Sequence, residues 1–377
     1  MNFQRTIQPQ IELKLFNNKI IVLYGARRVG KTTLSKMLLE KYPNSKYVNC
    51  ELLQNKTALE TTNSELLKSF IGNYQIIILD EAQHIIDIGL VLKIIVDTFP
   101  EIQIIATGSS SFDLRSKVSE PLTGRSRKFL LYPFSIEELK DNFGQIESDA
   151  RLTSILRFGL YPEVMNKPEE EAIEELNDIA SNYLYKDVLQ FERLKRPELL
   201  LNLLRAIAFQ IGNELSYNEL SRLLGENIHT IKRYIELLEK SFVIFRLTSF
   251  SRNLRKEIAK GQKIFFYDLG IRNAIIQNFN PLELRNDIGG LWENFCIAER
   301  IKYLNNHRIF ANTWFWRTYD QKEIDFIEEH NGKLTTFEFK FNKQAKAKKP
   351  IEFLNEYQDS SFQVIHNQNY FDLLKQT

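Results

Sequence analysis

Gly25-Ala26-Arg27-Arg28-Val29-Gly30-Lys31-Thr32-Thr33 sets two glycines, a lysine and a hydroxyl at a spacing suited to holding phosphate. The glycines let backbone N–H groups curl around an anion, and the helix that starts near Lys31 aims its positive end at the same point. Lys31 then reaches the β and γ phosphates of ATP, and the Thr32 hydroxyl ligates magnesium. The apolar run Ile20-Ile21-Val22-Leu23-Tyr24 before the loop, and the helical spacing of Leu34, Met37, Leu38 and Leu39 after it, supply the strand, loop and helix that the motif needs. A glycine-rich turn before a buried helix accounts for neither Lys31 nor Thr32.

A second group of chemically useful residues closes other apolar strands. Ile76-Ile77-Ile78-Leu79 runs into Asp80-Glu81, and a strand that apolar has to release two charges at its carboxyl edge, beside the phosphates. Asp80 is expected to hold the magnesium shell and Glu81 to orient or deprotonate the attacking water. Ala106-Thr107-Gly108-Ser109-Ser110-Ser111 brings hydroxyls to the same edge. Ser109 reads either as a polar sensor of the γ phosphate or water, or as a plain turn former. In Gly124-Arg125-Ser126-Arg127-Lys128, Arg125 reads either as a finger reaching a neighbouring subunit's γ phosphate or as solvated surface charge.

A third group lies near the C-terminus. Asp325 falls on one expected strand and Glu338-Phe339-Lys340 on the next, where alternation puts Glu338 and Lys340 on one face. With Asp325 alongside they can bind a divalent cation and activate water for phosphodiester attack; alternatively, Glu338 and Lys340 are an ion pair on an amphipathic strand. The expected order, helix Leu291–Leu304, strands Thr313–Arg317, Glu323–Ile327 and Leu334–Phe341, helix Ile351–Glu356 and strand Phe362–His366, resembles the restriction-endonuclease-like fold. Under that resemblance Glu293 or Glu299 is the additional acid. Lys343, Lys346, Lys348 and Lys349 either track phosphates or form a solvated loop.

These groups need elements to hold them. Short apolar strands at Ile20–Tyr24, Lys46–Cys50, Ile76–Leu79, Ile102–Ala106 and Lys128–Leu131 alternate with helical patterns, the signature of a parallel sheet covered on both faces. The α/β core is expected over residues 1–150 and a helical lid over 151–212. Glu163–Asp178 carries seven carboxylates against Lys167, a net of −6 that reads as a solvated face. Ser216–Lys263 reverses this, with ten Lys/Arg against five Glu, a net of +5. Two short helices around Gly225-Glu226-Asn227, then extended Phe242–Phe250 and Lys263–Tyr267 with basic Arg252–Lys260 between them, resemble a winged helix over 213–284. Ile228–Glu239 would be its recognition helix and Arg252–Lys260 its wing. Such a domain binds DNA or a protein, and the basic balance favours nucleic acid. Residues 285–377 form the last domain.

The totals set bounds. A chain of 377 residues with 43% hydrophobic and 26% charged content suggests several globular domains. Cys50 and Cys296 have no metal-type spacing and support neither a disulfide framework nor a zinc site. No stretch approaches the ~20 apolar residues of a membrane span, and the first residues lack a signal-peptide core. The expectation is a cytoplasmic protein with no membrane role.

Taken together, Gly25–Thr33, Leu79-Asp80-Glu81, Thr107–Ser110, Gly159–Pro162, Arg252-Asn253-Leu254, Tyr267-Asp268-Leu269-Gly270, Leu291-Trp292-Glu293-Asn294 and Glu323-Ile324-Asp325-Phe326 resemble a prokaryotic family of AAA-type P-loop ATPases that carry a C-terminal domain of unknown function. The resemblance implies a helical lid opened by a Gly-x-x-Pro element beside the nucleotide, hence a role for Pro162, and a homo-oligomer, in some relatives a ring. The expectations that follow are an ATP-hydrolysing enzyme that binds and remodels duplex or branched DNA, an ATP-gated nuclease, or a nucleotide-dependent switch for a protein partner.

Overall fold

Ile76–Asp80 is buried at all five positions, which a strand achieves only with neighbours on both edges and helices on both faces. In the computed structural model those neighbours are the strands Ser45–Asn49 and Gln103–Gly108. The structure describes residues 3–108, 122–182, 196–251, 261–318, 320 and 322–376. The chain divides into two compact units, Met1–Pro133 with Lys240–Phe242, and Phe134–Glu239 with Val243–Thr377.

The first unit carries β1 (Ile20–Tyr24), β2 (Ser45–Asn49), β3 (Ile76–Asp80), β4 (Gln103–Gly108) and β5 (Ser126–Leu130). All pairings are parallel, in the order β2-β3-β4-β1-β5. Its helices are α1 (Gln8–Glu12), α2 (Lys31–Glu40), α3 (Leu53–Leu59), α4 (Ser64–Ile71) and α5 (Ile88–Thr98). α5 turns Val91, Leu92 and Ile95 onto Ile77, Leu79 and Ile104, the apolar core on one side of the sheet. Because β4 lies between β1 and β3, the carboxyl end of β4 stands between the phosphate loop and Asp80.

The second unit begins with helices. α6 (Ile136–Phe143) opens on a capping box in which Ser135 and Glu138 satisfy each other's backbone N–H groups. α7 (Gln145–Phe158), α8 (Glu169–Asn182), α9 (Pro197–Phe209), α10 (Tyr217–Leu224) and α11 (Ile228–Lys240) follow, then β6 (Ile244–Ser249), β7 (Gln262–Phe266), α12 (Leu269–Ile275) and α13 (Ile288–Asn306). The chain ends with β8 (Asn312–Arg317), β9 (Glu323–His330), β10 (Lys333–Phe339), α14 (Ile351–Glu356) and β11 (Ser361–Ile365). The helix-strand order expected after residue 285 is present.

The winged-helix reading requires correction. β6 and β7 do form an antiparallel hairpin, but β6 also pairs in parallel with β8, giving one mixed sheet in the order β11-β10-β9-β8-β6-β7. The strands expected to close a separate basic domain instead form the edge of the C-terminal sheet, because their edge partner lies far downstream. The proposed wing, Arg252–Lys260, lies outside the described residues. Among the described residues, no helix is long and apolar enough to cross a membrane.

Candidate phosphate site and C-terminal carboxylate pocket

The phosphate loop is shaped by backbone that side chains would obstruct. Gly25 has φ +154°, and a Cβ there would come 2.1 Å from the Leu131 carbonyl oxygen. Gly30 caps α2 at φ 96°, in the left-handed region that favours glycine. Arg28 is also left-handed, at φ 61°, while Ala26 and Val29 are buried. Arg27 is half-buried and Thr33 exposed. Buried Lys31 donates from Nζ to the carbonyls of Gly25 at 2.9 Å and Ala26 at 2.7 Å, which holds the ammonium against the loop. Arg5, which the sequence reading missed, ties the loop from outside by donating to Val29 O at 2.8 Å and Tyr132 O at 2.7 Å. A lone arginine ahead of every motif carries no local signal.

Asp80 is the hub of this edge. Its Oδ2 accepts from the Thr32 hydroxyl at 2.8 Å and the Tyr47 hydroxyl at 2.5 Å, and its Oδ1 accepts from Thr107. Thr107 Oγ1 in turn accepts the Glu81 N–H at 3.1 Å. Among the described residues, the donors to the Asp80 carboxylate are neutral hydroxyls. With Thr32 they make a hard-oxygen set of the kind magnesium prefers, so the residues fit the expected ion. Glu81 is held at φ 53°, a conformation that costs a non-glycine residue ~1 kcal/mol or more and is kept where the surroundings enforce it. Gln83 donates to its carboxylate. Tyr47 sits above the usual phenol range because it is partly buried and because its proton bonds Asp80. Sequence reasoning passed over both Tyr47 and Thr107 as sites, and β2 pairing of Asn49 with Asp80 is what brings the former in.

The other ATPase residues are dispersed. Ser109 lies outside the described residues. Arg125 precedes β5 at the amino edge of the sheet, where its carbonyl bonds Ile20 N; the phosphate loop leaves the opposite edge. Its guanidinium pairs with exposed Asp97 at 2.6 Å. Pro162 falls in the second unit, after Gly159, which is at φ +71° with Asp268 Oδ1 only 2.1 Å from where a Cβ would stand. Asp268 accepts the Leu160 N–H at 2.7 Å, so the Gly-x-x-Pro segment and the Tyr267–Gly270 segment lock to each other.

In the second unit the β9–β10 register pairs Phe326 with Phe337 and carries Asp325 next to Glu338. Asp325 Oδ2 accepts the Phe339 N–H at 2.7 Å, and Lys340 pairs with Glu338 at 2.6 Å. Glu293, Glu323 and Asp325 each bring one oxygen to within 4.8 Å of the others. Glu299, the other candidate acid, is engaged elsewhere: it accepts from Ile136 N and Lys302 Nζ, both at 2.7 Å. The carboxylates Glu323, Asp325 and Glu338 line a cavity of about 780 Å³ that Lys346, Lys348 and Lys349 also line.

Lys263 also reaches this centre. Although counted above only among the ten Lys/Arg of Ser216–Lys263, it is 1% exposed, and its Nζ stands 2.8 Å from Glu293 and 2.5 Å from Glu323. Burial pulls the ammonium down, but the two carboxylates outweigh it and hold Lys263 above its ordinary value. Burial, then Glu293 and Glu338, push Asp325 well above the usual carboxylate range.

Comparison with known proteins agrees with the first unit and is silent on the chemistry of the second. Residues 17–140 match the model of an AAA domain, residues 149–282 a domain of unknown function (DUF8612), and residues 288–373 another (DUF4143). An uncharacterized protein of Mycobacterium tuberculosis is 26% identical over 89% of this chain and 74% of its own length. One from Methanocaldococcus jannaschii is 27% identical over 81% of this chain and 76% of its own. Among solved structures, a Walker-type ATPase of Pyrococcus abyssi covers 73% of this chain and 96% of its own, with a TM-score of 0.50 at 17% identity, a likeness of fold.

Proposed function

We propose that this chain is a magnesium-dependent ATPase whose turnover is coupled to binding and remodelling DNA, duplex or branched. The observation that carries hydrolysis is the Asp80 hub, with Thr32 and Lys31 on the phosphate side and Glu81 held next along the chain. Lys31 and the loop N–H groups would bind the β and γ phosphates, Thr32 and Asp80 would hold a magnesium ion that supplies charge stabilisation there, and Glu81 would orient the water.

DNA is supported by charge. Lys346, Lys348 and Lys349 line the C-terminal cavity, Arg222, Lys232, Arg233 and Lys240 are exposed on α10 and α11, and clustered cations release counterions from a phosphate backbone. The helix-strand order of β8 to β11 resembles the restriction-endonuclease-like fold, which fits a grip on a duplex. A homo-oligomer is part of the proposal, since the half-buried Arg125, paired with Asp97, lies at the sheet edge opposite its own phosphate loop and would meet a nucleotide there only from a neighbouring copy.

ATP turnover by the wild type and Glu81→Gln with no DNA, single strand, duplex and a four-way junction, at two salt concentrations, tests this. Stimulation by one DNA form, weakened by salt and absent in Glu81→Gln, is expected. Turnover flat across all four, with no DNA binding at low salt, would replace DNA with a protein partner.

A further inference from the structure

Two of the three carboxylates that converge in the C-terminal unit, Glu293 and Glu323, are here arranged around an ammonium from the same chain. Lys263 Nζ lies 2.8 Å from Glu293 Oε1 and 2.5 Å from Glu323 Oε1. Glu293 and Glu323 are two of the three residues whose oxygens converge within 4.8 Å. A divalent ion bonds carboxylate oxygen at ~2.0–2.6 Å, so an ion bridging those oxygens would occupy nearly the same point as Nζ. The lysine cannot readily move aside. Its side chain is 2% exposed, it rises from β7 in register with Leu247 of β6, and its Nζ stands 5.5 Å over the Phe315 ring of β8.

We infer that Lys263 is a built-in cation that takes the place of a divalent metal between Glu293 and Glu323, so that the centre formed with Asp325 does not load metal. The charges agree. Lys263 answers Glu293 and Glu323, and Lys340 answers Glu338 at 2.6 Å. Asp325 Oδ2 accepts the Phe339 backbone N–H at 2.7 Å. The metal-exclusion step is independent of whether DNA or a protein is the partner, because it concerns the floor of the pocket alone.

The test is a Mn²⁺ titration of the nucleotide-free full chain, read by electron paramagnetic resonance, in the wild type, Lys263→Met, Asp325→Asn and the Lys263→Met/Asp325→Asn pair. Comparison with Asp325→Asn isolates this centre from the ATPase magnesium site. In the wild type, Asp325→Asn should leave Mn²⁺ binding unchanged. Lys263→Met should gain a site about tenfold or more tighter than anything Asp325-dependent in the wild type, as expected when a fixed positive charge next to the ligand oxygens is removed, and Asp325→Asn should abolish it. A lysine serving only as a structural ion pair would produce no such gain. If Lys263→Met does not fold, Lys263→Gln, which keeps a donor but no charge, takes its place. Asp325-dependent Mn²⁺ binding by the wild type overturns the inference, and so does a folded Lys263 variant that gains no site.

Discussion

Asp80 and Asp325 both lie on strands of a sheet, both are nearly buried, and both face neighbours contributed by adjacent strands. They differ in what answers the charge. Around Asp80 the donors are the hydroxyls of Thr32, Tyr47 and Thr107, which orient a carboxylate without neutralising it. Around Asp325 the neighbouring carboxylates are met by Lys263 and Lys340, full charges that satisfy the centre from within. A carboxylate site oriented by dipoles stays hungry for a cation, whereas one closed by ammonium groups does not. Carboxylates on strands therefore do not by themselves mark a metal site; the charge of their partners decides.

The largest expected effect separates the two sites functionally. Lys31→Ala or Glu81→Gln should lower ATP turnover by about 10²–10³-fold, the scale seen when a transition-state contact is removed, while Asp325→Asn should leave DNA-free turnover within about twofold. Steady-state phosphate release checks both. Equal losses at the two positions would show that the centres act as one and would break the contrast.

The next effect is on stability. Lys263→Met leaves Glu293 and Glu323 without their shared cation, and removing one partner of a buried pair costs about 3 kcal/mol. Thr107→Val, which removes a neutral donor, should cost about 1 kcal/mol. The two losses should also differ in pH dependence. Burial holds Glu293 and Asp325 above the usual carboxylate range, so the native state keeps these protons at a pH where the unfolded chain has released them. Stability of Lys263→Met therefore falls as pH rises from about 4 through the raised native values, and the deficit relative to wild type is smaller at pH 5 than at pH 8. Urea unfolding at the two pH values measures this, and a deficit that did not change would mean Lys263 is not balancing charge.

How far the sequence carried differs between the two units for the same reason. β1, β3 and α2 were legible because their signals are local: a continuous apolar run, then Asp80-Glu81, then glycines at fixed spacing before Lys31. Pairing order was not, so Tyr47 joined Asp80 unannounced from β2, while Thr107, read only as one of several hydroxyls brought to that edge, bonds it from β4. The C-terminal strands were found with ends within three residues, β9 running on to His330 and β10 ending at Phe339, and Asn331 and Gly332 are both at positive φ in the turn between them. Lys263 was counted only as one charge of a basic stretch, and only the β6–β8 pairing, from strands far apart in the chain, carries the hairpin into the C-terminal sheet. The same non-local pairing dissolved the separate winged helix.

The smallest effect tests whether neutral orientation is the right description of the Asp80 site. Tyr47→Phe removes one of the hydroxyl donors to Asp80 Oδ2 but leaves Thr32 there and Thr107 on Oδ1. Loss of one such bond is worth about 1 kcal/mol, about a fivefold fall in kcat/KM for magnesium ATP. Burial and the bond to Asp80 hold the Tyr47 proton on well above the assay range, so the phenol is neutral throughout and the ratio of wild type to variant should be the same at pH 6.5 and 8.5. A ratio that changed with pH would mean Tyr47 takes part as a titrating group, and the site around Asp80 would then resemble the ionic centre around Asp325 more closely than its hydroxyl partners imply.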